Sequence, residues 1–335
     1  MTEIPFTRES LKIDPERETA RIVAALRPQL SKTMKRRGLV IGLSGGIDST
    51  VTAALAVRAL GRERVFGLLM PERHSDSETS SLGRKVAESL GIVCQEENIT
   101  GILEALGCYR RYEDALREVI PGFGPGWLSK LVIGGIASGQ KYTTFSIVAQ
   151  GPVGNVIRER LTLSSYLGIV AATNFKQRTR KMLEYYHADR LNYAVAGTPN
   201  RLEYDQGFFV KNGDGAADVK PIAHLYKSQV YQLAEYLDVP LEILRRPPTT
   251  DTYSMPQGQD EFYFALPYDA MDLCLFGKNH GLAAEKVAGA AGLSRETVER
   301  VWEDIDRKRA TTRYLHLSPV LIEEVGEISS RTDEP

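Results

Sequence analysis

Apolar residues along this chain recur at two spacings. Ile22, Val23, Leu26 and Leu30 fall three or four positions apart, which predicts an amphipathic helix over 15–36 that starts at Asp14-Pro15-Glu16. Residues 39–43 and 65–70 are unbroken apolar runs, the pattern of strands buried on both faces, and Pro71 stops the second. A helix is expected over 78–90, closed by Gly91, then a short strand over 92–95. Helices over 167–189 and 226–237 flank a strand over 193–197, and at least two more fill 281–313, parted by a cap at Gly292-Leu293-Ser294-Arg295-Glu296-Thr297. Strands alternating with helices predict an α/β fold: a doubly wound parallel sheet with flanking helices, its ligands at the carboxyl ends of the strands.

Residues 108–165 break this rhythm. Pro121-Gly122-Phe123-Gly124-Pro125-Gly126-Trp127 is turn-rich, and Leu131-Val132-Ile133-Gly134-Gly135-Ile136 is apolar. Apolar content of that kind needs burial, so the stretch reads as an insertion within one domain spanning 1–335, not as a linker. A cover over the site and an oligomer contact are both open readings of it. A helical C-terminal region is expected over about 267–315.

Composition narrows the class. The chain has 335 residues, 42% hydrophobic and 25% charged, with a formal net charge of -1, so no basic field points to nucleic acid. No apolar run of about 18 residues suggests a membrane span. The N-terminal residues lack the basic-then-apolar order of a secretion signal, and the expected compartment is the cytoplasm. Cys94, Cys108 and Cys274 are scattered, without a CxxC pair or metal-ligand spacing. His74, His187, His224, His280 and His316 show no ligand spacing either.

Chemistry concentrates where the first strand ends. Gly42 and Leu43 lead into Ser44-Gly45-Gly46-Ile47-Asp48-Ser49, and a helix follows from residue 50. Strand, glycine loop and helix start together make a phosphate cradle. Glycines let backbone N–H groups converge, and the helix N-terminus adds partial positive charge. Ser44 and Ser49 can donate hydroxyls, and Asp48 can hold a divalent cation. No Gly-Lys-Ser/Thr follows, so the loop is not a Walker A motif.

Further stretches carry a resemblance. They are Asn174-x-x-Gln177-Arg178-x-Arg180, Gly197-Thr198-Pro199-Asn200-Arg201-Leu202-Glu203, Gly207 to Asp218, Pro221-x-x-x-Leu225-Tyr226-Lys227, and Arg246-Pro247-Pro248-Thr249. With the Ser44 loop, this ordered set resembles the ammonia-dependent NAD synthetases, which share an adenine nucleotide alpha-hydrolase-like fold. The resemblance runs through 15–107 and 166 to about 310. It implies ATP and Mg2+ as cofactors, and deamido-NAD and ammonia as the other reactants. The carboxylate is adenylated with loss of pyrophosphate, and ammonia then displaces AMP. By position, Asp48 and Glu203 match metal ligands, and Asp48 and Lys227 the catalytic pair. Residues 42–49, Thr198, Lys227 and Thr249 match ATP contacts. Arg178, Lys211 and Asp218 match contacts to deamido-NAD, as do Arg307 and Lys308 near the C-terminus. A homodimer is implied, with the N-terminal helix and the 166–190 helix as contacts. No glutaminase segment is visible, so ammonia is expected free or from a separate glutaminase.

The chain departs from the family pattern in the loop 250–261, at Leu202 where a serine is usual, and at Arg307-Lys308-Arg309 where the family has His-Lys-Arg. These changes touch regions that would read the acid being activated. A relative that amidates another carboxylate, such as a sugar uronate or a natural-product acid, therefore stands as an alternative. A non-catalytic nucleotide-binding sensor is a second one.

Overall fold

The computed structural model describes residues 6–134, 144–247, 252–258, 263–264, 266–323 and 325. Four strands form a parallel sheet: β1 (Leu39–Gly42), β2 (Val65–Leu69), β3 (Val93–Glu96) and β7 (Ala194–Val195), in the order β3-β2-β1-β7. Leu39, Val40 and Ile41 are fully buried, as strands covered on both faces require. The chain winds one way from β1 to β3 and returns on the other side as β7. The carboxyl ends of β1 and β7 therefore open a crevice at the switch point.

Helices α1 (Pro15–Pro28), α2 (Ile47–Leu60) and α3 (Ser77–Leu90) precede α4 (Thr100–Ala105) and α5 (Cys108–Arg117). Asp14 caps α1 by accepting from Arg17 N, with Pro15 in its first turn. The helix expected over 15–36 does not run evenly. After Pro28, which brings no N–H, the bonding widens until Met34 N donates to Gln29 O at 2.9 Å. Gly91 closes α3 at φ 63.

Residues 108–165 hold α5 and an antiparallel sheet of β4 (Leu128–Gly134), β5 (Thr144–Gln150) and β6 (Val156–Arg160). Leu131, Ile147 and Ala149 pack with Tyr112 and Leu116 of α5 and with Ile169. That last residue lies on α6 (Leu163–Leu191), which starts earlier than the sequence suggests because Thr162 accepts from Ser165 N. Asn192 ends it in the left-handed region, at φ 54.

The rest is helical: α7 (Arg201–Gln206), α8 (Lys227–Tyr236), α9 (Leu241–Arg245), α10 (Tyr268–Asn279), α11 (Ala284–Ala291) and α12 (Arg295–Thr312). Gly292 closes α11 and Ser294 caps α12. The last three helices share a core with Leu202 and Tyr226. Leu202 is fully buried there, which gives a packing reason for an apolar side chain at that position. Cys108 and Cys274 are buried core residues, and Cys94 is half-buried.

Candidate active site

The Ser44–Ser49 loop is held by its own hydroxyls. Ser49 Oγ donates to Gly46 O at 3.0 Å, Thr50 Oγ1 donates to the same oxygen at 2.8 Å, and Gly46 N donates to Ser44 Oγ at 3.3 Å. Gly45 lies at φ +67, and a Cβ there would come within 2.8 Å of Leu82 Cβ, so only glycine fits without strain. The loop ends at Gly46, and α2 points its free N–H groups at the space above.

Two distant segments converge on Asp48. Lys227, in the first turn of α8, donates its ammonium to Asp48 Oδ2, and Asn200 Nδ2 donates to Oδ1 at 3.3 Å. Asn200 also caps α7: its Oδ1 accepts from Leu202 N at 2.9 Å, while Asn200 N donates to Glu203 Oε2 at 3.1 Å. That capping box pins Glu203 beside Asp48. Burial, and then the charge of Asp48, push the Glu203 carboxyl up to about 8. The Lys227 side chain is only 1% exposed, and its pKa is raised: burial opposes the charge, but Asp48 and Glu203 outweigh it. Asp272 seats this lysine by accepting from Lys227 N at 3.2 Å and Ser228 N at 2.7 Å.

A cavity of about 830 Å³ opens over this centre. Gly42, Leu43, Ser44, Gly46, Ile47, Asp48, Ser49, Thr198, Glu203 and Lys227 line it, as do Arg178, Lys211, Arg307 and Lys308. Lys211 Nζ donates to Tyr314 O at 2.7 Å, while Arg178 Nε donates to Lys211 O at 3.3 Å. Lys308 is half-buried between Asp304 Oδ2 at 2.7 Å and Tyr263 O at 2.6 Å, whereas Arg307 is exposed. Gly45 shapes the loop without lining the cavity. Asp218, expected to contact substrate, also stands outside the lining: its Oδ2 accepts from Val195 N at 2.7 Å and its Oδ1 from Tyr185 OH at 3.2 Å. Thr249 lies outside the described residues. Arg309 turns away from the cavity, donating to Asp205 at 2.6 and 2.8 Å and to Asn279 Oδ1 at 2.6 Å.

Sequence reasoning missed Asn200 as an Asp48 partner, although Asn200-x-x-Glu203 carries the spacing of a capping box. It also missed Lys176, Lys181 and Glu184, which α6 aims into the cavity. The wall of Leu131, Phe145, Tyr166 and Tyr253 depends on contacts between distant segments and leaves no local signal. Among the described residues, no group of three or more His, Cys, Asp or Glu side chains could hold a metal.

A glycine loop at the switch point of a parallel sheet, beside two carboxylates and a buried lysine, defines a nucleotide-binding enzyme of the pyrophosphate-releasing class. The NAD synthase family matches residues 18–120 and 139–313, and the chain belongs to that family. The chain is 62% identical over 323 residues to the NH(3)-dependent NAD(+) synthetase of Rhizobium meliloti, covering 96% of each chain. It is 36% identical to that of Thermotoga neapolitana over 251 residues, 74% of this chain and 81% of the relative. Among solved structures, the NMN synthetase of Francisella tularensis is similar at a TM-score of 0.63 and 26% identity, over 92% of this chain and all of that one. The NH3-dependent NAD synthetase of Campylobacter jejuni shares the fold, with a TM-score of 0.61 at 22% identity, over 93% of this chain and 100% of that one.

Proposed function

We propose that this chain is an ammonia-dependent NAD synthetase, a ligase that forms a C–N bond. The nicotinate carboxylate of deamido-NAD attacks the α-phosphorus of ATP, pyrophosphate leaves, and ammonia then displaces AMP from the acyl-adenylate. The observation that carries this reading is the half-buried Asp48 held against the buried Glu203 and Lys227 at the Ser44–Ser49 loop, in a chain 62% identical to a synthetase of that name.

The reaction brings two anions together, so fixed positive charge has to meet the phosphates. Lys227 supplies it from a rigid helix start, and the N–H groups of the Ser44–Ser49 loop cradle the departing pyrophosphate. The donor set suits Mg2+: two hard carboxylates, one already unfavourable beside the other, leave room for phosphate oxygens and water. Held by Asp48 and Glu203, the ion would offset phosphate charge as the carboxylate attacks. Lys211, Arg178, Arg307 and Lys308 would contact the dinucleotide acid.

The reading extends to a homodimer and to a cytoplasmic protein. Among the described residues no helix is long and apolar enough to cross a membrane. Residues 108–165 read as an insertion in a single domain, and the family match omits 121–138 within it. Amidation of a different carboxylate is not favoured, given the close synthetase relatives. Nor is a non-catalytic sensor, because Asp48, Glu203 and Lys227 all converge.

The test is pyrophosphate release by purified protein with MgATP and ammonium, with and without deamido-NAD, and NAD identified by mass. Release that depends on deamido-NAD and yields NAD is expected. ATP binding without turnover of deamido-NAD would sink the reading.

A further inference from the structure

A second buried charge cluster stands on α6, apart from the Asp48 centre. The Lys176 side chain is 4% exposed and that of Glu72 is wholly buried. An ammonium has three N–H groups, and this one meets three acceptors: Thr252 O at 2.7 Å, Glu72 Oε1 at 2.9 Å and His74 Nδ1 at 3.2 Å. Tyr109 OH donates to the other Glu72 oxygen at 2.8 Å. Because His74 accepts at Nδ1, its ring is neutral and carries its proton on Nε2.

The acceptors belong to separate stretches. Glu72 and His74 follow β2, on the parallel-sheet side. Thr252 opens a segment that runs beside β4: Ser129 N donates to Ser254 Oγ at 2.9 Å, and Gln257 Nε2 donates to Leu131 O at 2.5 Å. Lys176, Thr252 and Tyr253 all line the cavity, where Tyr253 joins Leu131, Phe145 and Tyr166 in an apolar wall. A buried ion pair contributes little net stability compared with apolar packing of the same volume, so its value here is in fixing position.

We propose that Lys176 is a positioning residue: from a seat on Glu72 and His74 it donates to the Thr252 carbonyl and so holds the Thr252–Tyr253 wall in place for the aromatic ring of the acid substrate. This rests on the function proposed above. ATP is gripped by its phosphates at the Asp48 and Lys227 end. The aromatic wall is the part of the cavity suited to a pyridine ring.

The experiment compares Lys176→Met, Lys176→Arg and the double variant Lys176→Met/Glu72→Gln with wild type, reading melting temperature and separate KM values for deamido-NAD and ATP. Lys176→Met leaves Glu72 buried and unpaired, and Glu72→Gln removes that charge. Lys176→Arg keeps the charge but displaces the donors, which guards against a variant that fails to fold. In all three, KM for deamido-NAD should rise about tenfold or more while KM for ATP stays within about threefold. Glu72→Gln should restore melting temperature without restoring KM. Recovery of KM together with melting temperature, an unchanged KM, or an equal rise for both substrates would overturn the positioning role. A wild-type protein that does not turn over deamido-NAD would overturn the proposed function and this inference with it.

Discussion

Lys227 and Asp48 stand 179 positions apart in the chain and share a hydrogen-bonded ion pair beneath the phosphate loop. The pair joins the first turn of α8 to the first turn of α2, so the site exists only when both helices are docked. Lys227→Met should lower pyrophosphate release about 100-fold or more, by removing the cation that meets the phosphates. It should also destabilise the fold by about 3–5 kcal/mol, because Asp48 and Glu203 would face each other unpaired. Asp48→Asn should abolish release while the protein stays folded. Initial rates and urea unfolding read both, and normal turnover in either variant would refute the site assignment.

His74 gives the protein an acid sensitivity of known sign. Burial first, and the Lys176 charge next, lower its pKa from 6.5 to about 4. Between those values the unfolded chain binds a proton that the folded chain does not. Stability is therefore lost as pH falls from 6.5 to about 4 and is not lost further below that. The contribution is about 3 kcal/mol. His74→Gln should flatten this part of the curve of denaturation midpoint against pH. An unchanged slope would mean that the ring takes up its proton as readily in the folded protein as in the unfolded chain.

Gly45→Ala tests the cradle directly. A Cβ at φ +67 costs roughly 1–2 kcal/mol, and contact with Leu82 adds to it. Loss of ATP-dependent pyrophosphate release with a lowered melting temperature is expected. A fully active variant would show that the loop can re-form around a side chain.

Lys211 and Asp218 separate two roles that the family resemblance treats alike. Lys211 lines the cavity, so Lys211→Ala should raise KM for deamido-NAD with little change in melting temperature. Asp218 accepts from Val195 N beside β1, so Asp218→Ala leaves a strand N–H without its partner, at about 1–3 kcal/mol. Thermal melts and KM values measured together decide this. Asp218→Ala with unchanged stability but a raised KM would place the carboxylate in substrate contact after all.

Much of the fold could be read in the chain. The apolar runs at 39–43 and 65–70 become β1 and β2, and Asp14, Gly91, Gly292 and Ser294 mark helix ends where the structure has them. These signals are local: strands buried on both faces need unbroken apolar runs, and helix ends need caps. The change of helical bonding after Pro28 and the early start of α6 at Leu163 were harder to see. Each turns on a few hydrogen bonds that compete with an otherwise regular pattern.

The sequence by itself determined the strand-loop-helix at Gly42–Ser49, the parallel α/β order and the residue types of the candidate site, because each is encoded within a few consecutive positions. Only the tertiary structure decided which of those residues meet. It brought Asn200 and Lys227 to Asp48, bound Asp218 to Val195 N and Arg309 to Asp205, and set Lys176 between Glu72 and Thr252. Contacts of that kind arise from the docking of separate elements around shared cores. Spacing along the chain carries no record of them.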